Sequence, residues 1–330
     1  MAMRFSLHGS IQYIPQAIDR ARQAEALGFE ALYTADSQMT CLDPFQALAL
    51  CAGHTKRLRL GTAVTNMVYR DPTVLAGCAA TLNLISDGRA ILGMGTGDGP
   101  VYTLGRKATP MAQFEEGLKT MRELLQGRAV EFPPGKVGLK VGKLPVPIYA
   151  SVEGPRGLHA AGKYADGVIL GNGFDLRVLQ WAKDKIAQGA AAVGRSLAEI
   201  ELLGAGMICV DHDGDRARAT VRSRLANRAH HNFRATLETV PPEELAGVKT
   251  FIDHFDVTKP LEEKVAPRFV TDYLVRRFSI AGTPEECVAR VKELERAGMS
   301  RLLLTPPEKI YTETVEAWSK HVMPHFQAAR

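Results

Sequence analysis

Polar residues able to do chemistry stand directly after short apolar runs along this chain: His8, Asp36 with Ser37, residues 62–66, residues 96–98, residues 151–156, Asn172 and Thr305. Each has an ordinary alternative, because Ser, Thr, Asp and Asn are also favoured helix N-caps. The set says more than its members, since it is what a polar pocket needs. Within it, the Asp98 carboxyl is suited to donate a proton or anchor a ligand, and His8 offers an imidazole. Gly154 and Pro155 mark a turn that runs straight into a helix, where free N–H groups and the helix dipole favour an anion. Arg156 in that first turn opposes the dipole alone and makes sense if a phosphate sits above it.

Other chemistries find little support. The segment ILGMGTGDGP (91–100) alternates glycines, but a dinucleotide fingerprint needs its turn to open a helix at once, and here the next helical pattern is delayed by the run PVYTLGRKATP. The glycines are read instead as letting the backbone approach a flat ligand. Arg216, Arg218, Arg222, Arg224, Arg228 and Arg234 cluster with His230 and His231, without interleaved aromatics, so a nucleic-acid surface is not expected. Most of them read as a solvated face, with a minority reaching the pocket. His230 and His231 point apart on a helix. No H-E-x-x-H or G-x-S-x-G occurs, and neither a metal site nor a serine hydrolase is expected.

The elements that position these residues alternate. Apolar runs at 4–9, 29–35, 58–64, 90–95, 147–151, 167–171, 200–210 and 301–305 are each followed by an amphipathic stretch. Eight such units predict parallel strands joined by crossover helices, closed as a single (β/α)8 TIM barrel spanning 1–330. Two interruptions, about 128–145 and 213–277, are predicted as insertions at strand–helix connections. The larger follows the seventh strand and is read as a long helical region. In a barrel the active site lies at the strand C-terminal ends, where the polar set stands.

With 330 residues, 45% hydrophobic and 23% charged, the composition excludes a disordered or coiled-coil protein. The net charge of +5 reads as a local preference for an anionic cofactor or substrate. Five cysteines without a C-x-x-C pair read as reduced, buried thiols. The first residues turn polar before a secretory core forms, and no apolar stretch is long enough to span a bilayer. The expectation is a soluble cytoplasmic protein.

The stretch LRLGTAVTNMVYRDPTVLAGCAATLNLISDGRAILGMGTGDG (58–99), with ALGFEALYTADS, PVPIYASVEGPRGLHAAGKYADGVILG and GTPEECVARVKELERAGMSRLLL, resembles the bacterial-luciferase-like superfamily. It is most similar to the branch of F420-dependent methylenetetrahydromethanopterin reductases and sugar-phosphate dehydrogenases. The resemblance implies a (β/α)8 barrel with an insertion after the seventh strand, a flavin-type cofactor (F420 or FMN) and a dimer. It places Asp36 and Asn66 beside the cofactor ring, a non-prolyl cis bond at Ala63–Val64 behind it, and Gly97 and Asp98 near the reacting face. Ser151, Gly154, Pro155 and Arg156 fall at the turn receiving the phosphate. The F420-dependent dehydrogenases carry an Asp–His pair after the second strand, where this chain has Asp36–Ser37; His8 is the imidazole expected to serve instead. The reaction expected is hydride transfer to or from a small organic substrate, with Asp98 and His8 handling protons. The alternatives are an FMNH2-dependent monooxygenase served by a separate flavin reductase, and a barrel that binds flavin without catalysis.

Overall fold

The computed structural model describes residues 3–256, 259 and 264–326. Eight parallel strands close a barrel: β1 (Arg4–Gly9), β2 (Ala31–Thr34), β3 (Arg59–Thr62), β5 (Ala90–Gly95), β8 (Ile148–Ser151), β9 (Gly167–Leu170), β10 (Glu201–Val210) and β12 (Arg301–Thr305). Closure comes from β1 pairing with β12, while β10 pairs with both β9 and β12. These are the eight expected runs. Four lesser strands complete the order: β4 (Thr65–Asn66) pairs with β5, β6 (Val130–Phe132) and β7 (Gly135–Val137) form an antiparallel hairpin, and β11 (Ser279–Gly282) pairs with the C-terminal half of β10.

Helices between the strands follow local signals. Proline occupies the first turn of α1 (Ile14–Ala26), α2 (Pro44–Gly53), α3 (Pro72–Ile85), α4 (Gly99–Thr103) and α6 (Pro155–Tyr164). Asp43 and Asp71 cap α2 and α3, and Asp175 caps α7 (Leu176–Ala191). The helix α5 (Met111–Leu125) packs between α3 and α6. After β10 come α8 (Gly214–Thr236), α9 (Leu245–Asp253) and α10 (Asp272–Phe278); α11 (Pro284–Arg296) and α12 (Tyr311–His321) flank β12. No described helix is long and apolar enough to cross a membrane.

Three apolar clusters hold the fold. Tyr33, Ile91, Tyr149, Ile169, Leu203 and Leu303 fill the barrel lumen. The two tyrosines fit because glycine faces them: a Cβ at Gly61 would lie 2.6 Å from the Tyr33 ring, and one at Gly167 2.7 Å from the Tyr149 ring. A larger cluster lies between strands and helices, and a third joins α8, α9 and α10 with β10 and β11.

Three features differ from expectation. Residues 128–145 contain the β6–β7 hairpin and lie between α5 and β8, a helix-to-strand connection, and so on the barrel face opposite the strand C-terminal ends. The region after β10 is broken into three α-helices and ends in β11. The glycine run in β5 makes room for the chain's own atoms: a Cβ at Gly93 would meet the Thr62 carbonyl at 1.8 Å, and one at Gly95 would meet Val64 at 2.7 Å. All five cysteines are free, with Cys51, Cys209 and Cys287 buried and Cys41 and Cys78 partly exposed.

Candidate functional site

The strand C-terminal ends form a mouth, and α8 lies across it. This helix carries Arg228, His231, Asn232 and Ala235, spaced i, i+3, i+4 and i+7, which puts them on one face. That face meets residues following β5, β8 and β9. His231 Nδ1 is 3.2 Å from Asp98 Oδ1, and His231 Nε2 is 3.9 Å from Glu153 Oε2. Arg228 Nη2 lies 3.1 Å from Glu153 Oε1, and Asn232 Nδ2 donates to Glu153 Oε2 at 3.1 Å. A Cβ at Gly171 would stand 1.3 Å from Arg228 Nη2, so glycine there lets the guanidinium pass to its carboxylate. A Cβ at Gly154 would approach the methyl group of Ala235 to 3.2 Å.

The electrostatics assign the proton. Burial alone would raise Asp98, but the hydrogen bond and charge of His231 outweigh it and hold the carboxyl below its usual range. For His231 the hydrogen bond to Asp98 leads. Together with the charges of Glu153 and Asp98 it outweighs burial and the repulsion of Arg228, raising the imidazole. A carboxylate held low is a poor acid near neutrality, so the transferable proton of this pair sits on His231. The sequence pointed to Asp98; its partner lies 133 residues further on.

His8, at the C-terminal end of β1, is of the opposite kind. Burial pushes its imidazole down to about 4, against a raising contribution from the Ala63 backbone. It is therefore neutral at neutral pH. Its Nδ1 is 3.4 Å from Thr305 Oγ1, while its Nε2 is sealed from solvent without a well-formed hydrogen bond, the Ala63 backbone being the polar group that acts on the ring. Thr34 Oγ1 at the end of β2 and Asn172 Oδ1 after β9 are likewise buried and unpartnered. Buried polar atoms are nearly always satisfied; of the eight exceptions among the described residues these three stand at strand C-terminal ends, where a bound molecule could complete the bonding, and others, such as Trp318 Nε1 and Arg195 Nε, lie elsewhere.

Asp36 is buried and already engaged: it accepts from Thr65 Oγ1 at 2.6 Å and is ion-paired with Arg70, whose other nitrogen binds Asp43 at 2.6 Å. It thus anchors the segment following β3. There the Ala63–Val64 peptide is cis, and Val64 packs towards Gly95. Asn66 is buried, with Oδ1 accepting from the Val68 N–H at 3.0 Å. Gly97 has φ +101° and packs on Val101. Ser151 ends β8 and pairs across to Gly95 and Ile169.

Gly154 is the N-cap of α6, and no side chain caps its first turn, so the N–H groups beyond Pro155 remain available. Arg156 is exposed at this turn. Glu153, which the sequence reading left among its neighbours without a role, stands two residues before Pro155 with its side chain 8% exposed.

The arginines of α8 divide. Arg216 pairs with Asp211, Arg218 with Asp215 and Glu286, and Arg222 with Asp272, all away from the mouth. Arg228 alone of these four reaches it, and a carboxylate neutralises it there. The positive charge of the insertion is therefore largely spent on internal pairs. His230 points away from His231 and stacks on Phe255, ring centroids 4.0 Å apart.

A flat heterocycle with carbonyl and N–H edges fits the unpartnered atoms of His8, Thr34 and Asn172, and a phosphate fits the uncapped start of α6. The glycines of β5 do not form a cradle for such a ring, because neighbouring atoms already occupy the space a Cβ would take.

Comparison with known proteins agrees with this architecture. The family model described as luciferase-like monooxygenase matches residues 3–301. The chain is 30% identical over 295 residues to 5,10-methylenetetrahydromethanopterin reductase of Archaeoglobus fulgidus, covering 86% of this chain and 87% of that protein. It is 25% identical to F420-dependent glucose-6-phosphate dehydrogenase of Amycolatopsis mediterranei, covering 94% of each. The coenzyme F420-dependent tetrahydromethanopterin reductase of Methanopyrus kandleri superposes with a TM-score of 0.82 at 26% identity, covering 99% of this chain and 100% of that one.

Proposed function

The chain belongs to the luciferase-like monooxygenase family, and we propose that within it the protein is an F420-dependent oxidoreductase moving a hydride to or from a small organic substrate. The observation that carries this reading is the meeting of His231 on α8 with Asp98 and Glu153 at the strand C-terminal ends, beside the uncapped start of α6. The 30% identity to a reductase of this class supports it.

A bound deazaflavin supplies the two-electron chemistry. His8, Thr34 and Asn172 offer its ring polar contacts. The Ala63–Val64 segment and Asn66 line the slot, with Asp36 fixing that segment through Thr65. Gly97, just after β5, and Ser151, at the end of the neighbouring β8, border the mouth, and the turn at Gly154, Pro155 and Arg156 receives the phosphate. His231, held between Asp98 and Glu153, would supply the proton that a substrate heteroatom gains on reduction and would take it up in the reverse direction. His8 stays neutral and acts as a hydrogen-bonding group. A carbonyl or imine carbon is the substrate class this geometry serves.

For the dimer that the family resemblance implies, the apolar side chains exposed on α2 and α3, Leu50, Val74, Leu84 and Ile85, are the surface we propose; light scattering of Leu84→Glu should then show a monomer. Titration with F420 and with FMN, followed by absorbance, tests the reading. F420 should bind stoichiometrically and more tightly than FMN. The opposite order favours the FMN-dependent monooxygenase, and binding of neither removes the proposal.

A further inference from the structure

A charged side chain that the mechanism leaves unused lies beneath α8. Arg277, at the end of α10, is fully buried, and among the described residues no carboxylate comes within ion-pairing distance. Its guanidinium is satisfied by neutral groups. Nη1 donates to Tyr273 Oη at 2.9 Å, and Nε donates to the Asn172 carbonyl at 3.2 Å. Nη2 donates to Asn232 Oδ1 at 3.0 Å, Thr239 Oγ1 at 3.1 Å and Thr236 Oγ1 at 3.2 Å. The rings of Phe233 and Phe278 lie 4.9 and 5.3 Å from its central carbon. Burying a cation without a counter-ion is costly, so a fold that keeps one is expected to use its fixed fork of donors.

Two asparagines receive that fork, and both end on Glu153. Arginine only donates, so it can face only the oxygen of the Asn232 amide; the amide nitrogen is thereby turned towards Glu153 Oε2, 3.1 Å away. Asn172 is gripped through its carbonyl, and its Nδ2 donates to the Glu153 backbone carbonyl at 3.0 Å. The grip is close: a Cβ at Gly173 would stand 2.2 Å from the Arg277 carbonyl, and the Phe174 N–H donates to that same oxygen. Glu153 in turn faces His231.

We propose that Arg277 is a positioning residue for the Asp98–His231 pair, setting the Glu153 carboxylate against His231 through the amides of Asn232 and Asn172. The inference rests on the proton role given to His231 above. The charged groups facing His231 are Asp98 from the end of β5, Glu153 from the end of β8, and Arg228 on its own helix. Glu153 is the one Arg277 controls. Thr236 Oγ1 also donates to Asn232 Oδ1, at 2.6 Å, but a hydroxyl can equally accept from the amide nitrogen, so only the guanidinium fixes which way the amide points; without it Asn232 no longer holds its nitrogen to Glu153, and the carboxylate turns towards Arg228 and away from the imidazole.

The test follows the His231 ring by histidine NMR in the full-length protein without cofactor, its resonance assigned by loss in His231→Gln. Glu153→Gln sets the full size of the effect. Arg277→Lys, which keeps the charge and loses the fork, and Asn232→Ala, which keeps Arg277 and loses the link, should each lower the His231 midpoint by roughly half a pH unit, in the same direction as Glu153→Gln. A midpoint unchanged in either folded variant overturns the proposal, as does an unchanged midpoint in Glu153→Gln. Should Arg277→Lys fail to fold, Asn232→Ala decides. A lowered midpoint in a protein that binds neither F420 nor FMN keeps the positioning claim and removes only the reading it rests on.

Discussion

Replacing Asp98 with asparagine preserves shape and removes one charge from the pair that carries the proton. The two atoms are 3.2 Å apart, and the side chains of His231 and Asp98 are 32% and 49% exposed, so screening is close to that of water. At this separation such screening leaves about 1.3 kcal/mol of attraction, and the entropy of holding two exposed side chains reduces it to about 1 kcal/mol. One pH unit corresponds to about 1.4 kcal/mol, so the His231 midpoint should fall by roughly 0.7 unit in Asp98→Asn. The sign extends to stability. His231 is raised above the ordinary 6.5, so its contribution is complete below that value and is lost as pH rises through its folded midpoint. Asp98 is lowered below the ordinary 3.8, so its contribution is complete above that value and is lost as pH falls through its own. The native protein should therefore exceed Asp98→Asn by about 1 kcal/mol near pH 5.5, with the difference fading towards pH 9. Urea denaturation at the two pH values measures this, and histidine NMR reads the midpoint. A difference independent of pH, or a midpoint that does not fall, refutes the assignment of the proton to His231.

Three further outcomes follow from the geometry. Arg70→Met leaves the Asp36 carboxylate buried without its counter-ion and should destabilise the fold by roughly 3 kcal/mol in urea denaturation, with Thr65 too small a donor to compensate. Gly93→Ala sets a methyl group against the Thr62 carbonyl between β3 and β5, and should abolish the soluble folded protein or lower its melting temperature sharply. Arg156→Ala, at an exposed position, should leave thermal stability unchanged and weaken cofactor binding by about 1–3 kcal/mol; calorimetry showing an unchanged dissociation constant would make it a plain surface residue.

The barrel is legible in the sequence because most of its strands are short, buried apolar runs followed by a helix with a proline or aspartate at its start; β10, half-buried along much of its length, and α12, which opens at Tyr311, are the exceptions. Elements lacking that signature escape. The β6–β7 hairpin is half-exposed and held by its turn; β11 continues directly from α10 without a break; and α4 is a single turn after Asp98. The site is half legible for the same reason. His8, Asp98 and the residues of the Gly154–Pro155 turn stand where strands end, so local pattern finds them. His231 and Arg228 lie on a helix whose basic character reads as a solvated face, and only the crossing of α8 over the mouth brings them to Asp98 and Glu153. Their spacing with Asn232 and Ala235, one helical face of mixed small and polar residues, was the signal available. Arg277 had none, since its role depends on partners 45 and 105 residues away.

Hydride transfer by a deazaflavin, the function proposed for the mouth roofed by α8, can be watched directly. Its most direct measurement is anaerobic absorbance of reduced F420 bound to the protein while carbonyl and imine substrates are added one at a time, methylenetetrahydromethanopterin among them. One of them should reoxidise the cofactor without oxygen, and His231→Gln should slow the step while F420 still binds. Reoxidation that begins only when oxygen is admitted would contradict it.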